Sequence, residues 1–427
     1  MQRIPRDQSG QPISPPPVKP LEDFRMFVDG EEVRVVTETR SYRVITPLFG
    51  GGPIPGQADE DLPVRGSSIR GQLRFWWRAT QGGRFDGDLH GMREAECSLW
   101  GAASTPKKPR PSLVDVVVKV KDRGRQIDWS GLPRHIRDIR RYAMLGQRLP
   151  VLDGIEFELS LTYPETKQEE IEAALWAWET FGGIGGRTRR GFGALSLTAI
   201  DGKPVPLPKM NEIHSIILEG LRKHVTKGVW PKGVPHLSHG IKMVLCEHFP
   251  DPQTAWDHMI GHLMSFRQSR FSRRGGSRWP EPDAIRRLTG QGSRRFVQTD
   301  SEISKFPRAA FGLPIVFQFR GGRDQVTLEG IPKEERKAEG QAGLRLASPL
   351  VLRPLVCENG AVGLALILEG TGVRHLPKGL RLRTGRKEHK VDFELTLEEA
   401  RQVEPLGGNP DVLEAFLEYI KKEEKVR

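Results

Sequence analysis

The chain has 427 residues and a formal net charge of +12, a length that allows two domains, each with its own core. Lys and Arg outnumber Asp and Glu, which favours a polyanionic partner, nucleic acid ahead of a membrane surface. No stretch approaches the ~20 apolar residues of a membrane span, and the widely spaced Cys97, Cys246 and Cys357 exclude a zinc ribbon and fit reduced thiols of a cytoplasmic protein.

The predicted elements begin after a Pro-rich N-terminal segment, residues 1–30, which lacks the apolar core of a signal peptide and is predicted to be a flexible arm. Residues 33–46 combine β-branched side chains with loose alternation, which predicts a strand. A Gly/Pro-rich run ends it. Apolar residues at helical spacing then predict a helix over 67–80, with Ser67 or Ser68 as its N-cap.

The next elements complete a βαββαβ order. Alternating apolar residues predict strands over 112–122 and 154–163, and an amphipathic pattern predicts a helix over 167–181. A Gly-rich loop, 182–193, leads into a strand that ends at residue 200. This order is typical of the ferredoxin-like arrangement of RRM domains and predicts an N-terminal domain over 31–202.

The second half of the chain predicts a similar domain over 203–427. A strand over 237–249 and a helix over 254–268 are followed by an Arg-rich stretch. Three more strand-like segments and two C-terminal helices come after it. The predicted fold is therefore α+β, with two ferredoxin-like (RRM-like) domains and long Gly/Arg-rich loops.

Three segments carry arginines in patterns that suit RNA. The strongest is GGIGGRTRRGFG, residues 182–193, where bare amides and guanidinium groups suit a phosphodiester backbone. It is not a P-loop, because it follows a helix, opens a strand and has Arg187 where lysine would stand. The predicted helix 67–80 carries an arginine stripe beside its apolar face. The third segment, 266–296, interleaves arginines with Phe271 and Trp279, which fits single-stranded RNA.

The candidate RNA-binding residues come from these three segments. For each set the competing interpretation is structural: solvated arginines, ion pairs on a helix face, or a basic loop without a defined role. The candidates are Arg65, Ser67, Ser68, Arg70, Arg74 and Arg78 in the first helix region; Gly183, Gly185, Arg187, Thr188, Arg189 and Arg190 in the Gly-rich loop; and Arg267, Arg270, Arg273, Arg274 and Arg278 in the third segment.

Catalytic motifs are missing from the sequence. His258 and His262 stand four residues apart on a predicted helix, but no third metal ligand is evident, so neither a metal site nor a cofactor is predicted. His90, His236 or His239 would be the candidate general acid or base of a metal-independent RNase, although none has a defined partner. The chain is predicted not to be an enzyme.

Several blocks resemble those of a known family. ITPLFGGG, RGSSIRGQLRFWWRA and GGIGGRTRRGFG look like blocks of the RAMP proteins of CRISPR systems. SRWPEPDAIRR, KFPRAAFGLPIVF and RLASPLVLRP resemble, more narrowly, the Cmr complex subunit 1 family of type III-B effectors. The resemblance runs from about residue 37 to about residue 354, which is most of the chain. It implies two ferredoxin-like domains in a multi-subunit, RNA-guided complex.

The resemblance also implies a function. The chain would bind guide and target RNA near the 3′ end of the guide, with other Cmr subunits as partners and target cutting left to them. RNA contact is carried over to the candidates Arg65 to Arg74 and Gly183 to Arg190, whereas Arg267 to Arg278 rest on charge alone. Two alternatives stay open: a CRISPR-transcript-processing endoribonuclease of the same superfamily, and a scaffold that touches only proteins.

Overall fold

A computed structural model describes residues 26–28, 30–103, 110–145, 150–272, 276–291, 302–319, 325–332, 343–385 and 387–425. Most of the predicted arm, 1–30, lies outside these ranges. In the first half the elements are β1 (Met26–Val28), β2 (Glu31–Val33), β3 (Val35–Val44), α1 (Gly66–Gln81), α2 (Leu89–Trp100), β4 (Asp115–Gln126), α3 (Arg134–Ala143), β5 (Leu152–Pro164), α4 (Gln168–Phe181), β6 (Leu195–Ile200) and β7 (Lys203–Pro204).

The second half adds further helices and two more sheets. Its elements are α5 (Ile213–His224), β8 (Met243–Phe249), α6 (Pro252–Arg267), α7 (Glu281–Thr289), β9 (Ile315–Phe317), β10 (Val326–Gly330), β11 (Leu350–Cys357), β12 (Gly360–Ile367), β13 (Leu380–Thr384), β14 (Lys387–Val391), α8 (Leu397–Gln402) and α9 (Val412–Lys425). In the part of the chain that the structure describes, no helix is both long enough and apolar enough to cross a bilayer.

The first sheet has the strand order β4-β5-β3-β6-β7, and every neighbouring pair is antiparallel. Its register places Tyr42 of β3 opposite Phe157 of β5, and both side chains are buried. Strand β5 alternates as its sequence predicts, because every second residue points into the core. Helices α1 and α4 pack against each other and bury Leu73, Trp77 and Trp178. The predicted helices at 67–80 and 167–181 are confirmed.

The second sheet has the order β11-β12-β8 and is also antiparallel. Helix α6 packs on β11 and β12, and α9 packs on β8. Strand β12 is buried along nearly its whole length, as expected of a strand covered on both faces. The predicted strand at 237–249 and the predicted helix at 254–268 are therefore present with shifted ends, and β11 and β12 fall in two of the three strand-like segments predicted after the Arg-rich stretch.

Some elements were not expected from the sequence. Helices α2, α3, α5 and α7 were missed, as were β10, β13 and β14 of the sheet β14-β13-β10-β9, whereas β9 lies within the first of the strand-like segments predicted after the Arg-rich stretch. Helix α3 explains why, because it buries Arg140, whose Nε and Nη2 donate to the Asp257 carboxylate of α6 at 2.9 and 2.8 Å. A helix that buries a charged side chain interrupts the apolar stripe on which pattern-based prediction depends.

The hydrophobic core joins the two halves of the chain. One cluster combines Leu73 and Trp178 with Val351 and Leu364 of the second sheet. A second cluster combines Phe49 and Phe192 with residues of α6 and α9. The predicted boundary at 202/203 stays a prediction, and buried contacts run across it. The Gly-rich loop lies where the halves meet.

Candidate nucleic-acid interface

The Gly-rich loop, residues 182–193, packs its backbone directly against the loop that follows β3. The Gly186 amide donates to the Phe49 carbonyl at 2.6 Å, and the Gly193 amide donates to the Pro47 carbonyl at 3.0 Å. A Cβ on Gly185, whose φ is +76°, would lie 2.4 Å from Leu48 Cδ1. Glycine at 185 is therefore required by contact with the protein's own chain. Gly183 is buried in the same packing.

Side chains from distant parts of the chain hold the carbonyls of this loop. Trp178 Nε1 donates to Gly183 at 3.0 Å, and Trp256 Nε1 donates to Arg190 at 2.7 Å. The Thr46 hydroxyl donates to Gly191 at 2.6 Å. Since these acceptors are fixed by indole and hydroxyl donors, the loop has a defined shape without a ligand.

Arg353 of β11 fixes the start of the loop. It is 1% exposed, and its guanidinium donates to the carbonyls of Glu179, Gly182 and Leu195 at 2.8 Å each. Two of these acceptors lie at the C-terminal end of α4, where carbonyls lack helical partners. Burial lowers the pKa of Arg353 to about 9. Arg353 is not among the candidates predicted from the sequence, although an arginine inside the apolar run LVLRPLV is the signal for it.

Two arginines of the loop converge on the C-terminal end of α3. Arg187 has a left-handed φ of +58°, and its Nη1 donates to the Ala143 carbonyl at 3.1 Å. The Arg187 guanidinium lies 4.4 Å from the Phe49 ring centroid. Arg190 Nη1 approaches the carbonyls of Tyr142 and Ala143 at 3.4 and 3.3 Å. The partial negative charge of these carbonyls attracts both cations.

Arg267, the last residue of α6, joins this group. Its Nη1 donates to the Tyr142 hydroxyl at 3.2 Å, and its guanidinium lies 5.1 Å from the Phe311 ring. Arg187, Arg190 and Arg267 are named the arginine cluster below. Burial, together with the positive charges of Arg267 and Arg187, lowers the pKa of Arg190 to about 10. In the described part of the chain, no ion pair joins Arg190 or Arg267 to a carboxylate.

Arg189 turns away from the cluster and toward α1. Its Nη1 donates to the Ser348 carbonyl, and its guanidinium lies 5.4 Å from the Phe75 ring of α1. Burial lowers its pKa to about 10. Thr188 is half-buried beside it, and Phe192 is fully buried between Phe49 and Trp256, so this ring packs in the core.

The α1 candidates divide into two groups. Arg74 Nε donates to Glu96 Oε1 at 2.7 Å, and Arg78 pairs with the same carboxylate, which is 6% exposed. These pairs tie α1 to α2. Arg65 pairs with Asp59 at 3.1 Å, Arg70 is half-buried, and the exposed Ser67 and Ser68 lie in the first turn. The predicted serine cap is wrong: the helix begins at Gly66, with Arg65 as an N-cap that makes no side-chain cap.

The Arg-rich segment after α6 is only partly described. Arg270 is exposed, while Arg278 pairs with Glu404 and lies 5.5 Å from the Phe271 ring. Trp279 is 1% exposed and donates to the Phe266 carbonyl, so it belongs to the core. The candidates Arg273 and Arg274 lie outside the described residues.

The histidines fall into two groups. His90 is exposed at the start of α2, His236 stacks on Trp230 at 4.5 Å, and His239 contacts the Val225 carbonyl at 2.9 Å. Burial lowers the pKa of His236. The expectation that His258 and His262 lack a third metal ligand is wrong, because Glu424 of α9 meets both side chains.

Comparison with known proteins defines the class of the chain. The model of the RAMP superfamily matches residues 41–196, which include β4, β5, helices α1 to α4 and the Gly-rich loop. CRISPR system Cmr subunit Cmr1-2 of Pyrococcus furiosus is 32% identical over 176 residues, which cover 36% of this chain and 90% of that protein. The chain belongs to the Cmr subunit 1 family of type III-B CRISPR systems.

Other relatives are more distant. Cmr subunit Cmr1-1 of the same organism is 24% identical over 184 residues, 40% of this chain, and the match spans 48% of that protein's length. The crystal structure of apo Cmr1 from P. furiosus has a TM-score of 0.46 at 17% identity, covering 78% of this chain and 88% of that one. A type III-B Cmr-beta complex bound to cognate target RNA contains a chain with a TM-score of 0.47 at 12% identity, covering 89% and 99%.

Proposed function

We propose that this protein is a non-catalytic, RNA-binding subunit of a type III-B Cmr effector complex, acting in the cytoplasm with other Cmr subunits. The observation that carries the proposal is the arginine cluster. Three guanidinium groups from two distant segments lie close together. Burial lowers the pKa of Arg187 and Arg190, and at Arg190 the positive charges of Arg267 and Arg187 add to that effect. A phosphate approaching the cluster would relieve the repulsion between these charges and accept charge-assisted hydrogen bonds.

The rigid loop strengthens this proposal. Its carbonyls are bound by Trp178, Trp256 and Thr46, so little backbone entropy is lost when RNA binds. Gly183 and Gly185 shape the loop, and RNA contact at these two positions stays a prediction. We propose that the RNA backbone is contacted by Arg187, Arg189 and Arg190. Because the backbone carries no base code, the preference for particular RNA sequences should be weak.

The bound strand is proposed to extend from the cluster toward α1. Arg189 contacts Phe75 of α1, so the loop and this helix are neighbours. The exposed Ser67 and Ser68 and the half-buried Arg70 offer polar groups in the first turns of α1. Arg270 would extend the path on the other side. By the family resemblance, the RNA is the guide with its paired target near the 3′ end of the guide.

The fold supports an RRM-like interpretation. Taking β3, β4, β5 and β6 as strands one to four, the first sheet has the ferredoxin-like order 2-3-1-4. The second sheet, with α6 after β8 and the β11-β12 hairpin beside β8, matches the same pattern without its fourth strand. We propose that it is a shortened second ferredoxin-like unit.

The test is the triple variant Arg187→Ala, Arg190→Ala, Arg267→Ala in the full chain. Each charge-assisted contact is worth about 1.5–3 kcal/mol, so affinity for single-stranded RNA should fall by about 100-fold or more. Wild-type affinity should fall with salt with a log–log slope of about −0.7 per phosphate contacted, and the variant should have a shallower slope. Fluorescence anisotropy at several salt concentrations measures both.

The matched control is Arg134→Ala, which removes a positive charge from an 82% exposed position on α3. It should leave RNA affinity within about twofold, since an exposed charge remote from the strand is screened. Equal losses for Arg134→Ala and for the triple variant would contradict a localised site. If circular dichroism shows that the triple variant is unfolded, the arginine cluster stabilises the fold and the RNA-binding proposal for it is contradicted.

A further inference from the structure

Two histidines and a glutamate lie together between α6 and α9. His258 and His262 lie one turn apart on α6, and Glu424 comes from the end of α9. The Nε2 atoms of the two histidines lie 2.6 and 2.9 Å from Glu424 Oε1, and 2.9 Å from each other. The three side chains are 12, 8 and 11% exposed.

Hydrogen bonds alone do not satisfy this triangle. If both Nε2 atoms carry protons, each donates to Glu424, but two donors then face each other at 2.9 Å. If one Nε2 is unprotonated, its lone pair faces the carboxylate oxygen across 2.6 or 2.9 Å. A cation that accepts a lone pair from each of the three atoms satisfies all of them together.

Neighbouring groups orient the Glu424 carboxylate so that it can bind a cation together with the two histidines. The backbone amide of Glu247 donates to Glu424 Oε2 at 3.0 Å, which leaves Oε1 turned toward the histidines. Phe249 lies 4.7 Å from the His258 ring, and Tyr419 lies 5.8 Å from the His262 ring. Metal ligands are commonly oriented in this way by a second layer of hydrogen bonds and packing.

We propose that His258, His262 and Glu424 bind a divalent transition-metal ion, Zn²⁺ foremost, which fastens α9 to α6. Imidazole and carboxylate ligands suit Zn²⁺, and bonds of about 2.0–2.2 Å place tetrahedral ligands roughly 3.3 Å apart. The triangle needs to open by about 0.4 Å along the two edges of 2.9 Å and by about 0.7 Å along the edge of 2.6 Å. The three ligands are largely buried and come from two helices, so the ion would hold α9 against α6, and a fourth ligand would have to come from water.

The experiment uses the full chain, stripped with a chelator and then dialysed with Zn²⁺. Metal analysis should give one zinc per chain, and the melting temperature should rise by about 2–5 °C. Replacement by Co²⁺ should produce the visible absorption bands of a tetrahedral site. Glu424→Gln should lose most of the bound metal and most of the rise, because a neutral amide is a weaker ligand than a carboxylate.

The matched control is Glu423→Gln, since Glu423 is the exposed neighbour on the same helix. It should bind zinc as the wild type does. Equal zinc content in the two variants would overturn the proposal. So would a wild-type chain that retains no zinc and gives no cobalt bands, a result that stands even where Glu424→Gln fails to fold.

Discussion

A single buried cation fixes the base of the Gly-rich loop. Arg353 comes from the second sheet, yet all three of its 2.8 Å bonds go to carbonyls of residues 179–195 in the first half. Its desolvation, which lowers its pKa to about 9, is offset only while those acceptors are in place. The residue therefore couples the shape of the loop to the docking of the two sheets.

Replacing Arg353 should test that coupling. Arg353→Met keeps much of the volume but removes a charged donor from three carbonyls, at about 1–3 kcal/mol each before relief of the arginine's own desolvation. We expect the free energy of unfolding to fall by about 3 kcal/mol, measured by urea denaturation. Arg345→Met, at an exposed position, should change it by less than about 0.5 kcal/mol. Equal effects would contradict a special role for Arg353.

At the scale of elements, the ion pairs between α1 and α2 distinguish arginines that stabilise the fold from arginines that are proposed to bind RNA. Arg74 and Arg78 share the nearly buried Glu96, so their removal leaves a buried carboxylate without a counter-charge. Arg74→Ala with Arg78→Ala should lower the free energy of unfolding by about 1–3 kcal/mol and leave RNA affinity of the folded fraction nearly unchanged. Denaturation and anisotropy on one sample measure both quantities.

The control for that double variant is Arg70→Ala on the same helix. It removes one half-buried arginine that we place on the RNA path, so it should reduce affinity with little loss of stability. If instead the loss of Arg74 and Arg78 reduces RNA affinity and the loss of Arg70 does not, then Arg74 and Arg78 belong to the RNA-binding surface.

Several elements with a regular apolar period were predictable from the sequence, although α5 was missed despite its buried Ile213, Ile217 and Leu221, and a helix held by charge was not predictable. Strand β5 and helices α1 and α4 follow their apolar patterns, whereas α3 buries Arg140 against Asp257, more than a hundred residues away. The loop arginines stood out by composition. The residues that they contact, Tyr142 and Ala143, were not predictable, and neither was Glu424, the proposed metal ligand. Each reaches its partners only through packing between segments that are distant in the sequence.

At the scale of the whole molecule, the interlocked cores make one body on which the cluster and the loop hold fixed positions. Each large core cluster contains residues from both sides of position 203. The arginine cluster likewise needs α3 and the Gly-rich loop from one half and α6 from the other. A site assembled in this way is suited to holding a strand in a fixed course, which is what a guide-binding subunit requires.

Holding a strand does not require cutting it, and we expect the isolated protein not to cleave RNA with or without divalent metal. The contacts described for the cluster are main-chain carbonyls, aromatic rings and the Tyr142 hydroxyl, and general acid–base cleavage needs a titrating group within hydrogen-bond reach of one phosphate. His236 and His239 are engaged with Trp230 and the Val225 carbonyl instead.

The measurement is incubation of end-labelled CRISPR transcripts and target RNA with the wild type and with the variant His90→Ala, His236→Ala, His239→Ala. Intact RNA with intact binding in both is the expected result. Site-specific cleavage by the wild type that disappears in the variant would overturn the binding-subunit proposal in favour of the endoribonuclease. Cleavage that a second purification step removes points to a contaminating nuclease, whereas cleavage that survives repurification and persists in the variant would also contradict the expectation and assign the activity to other residues.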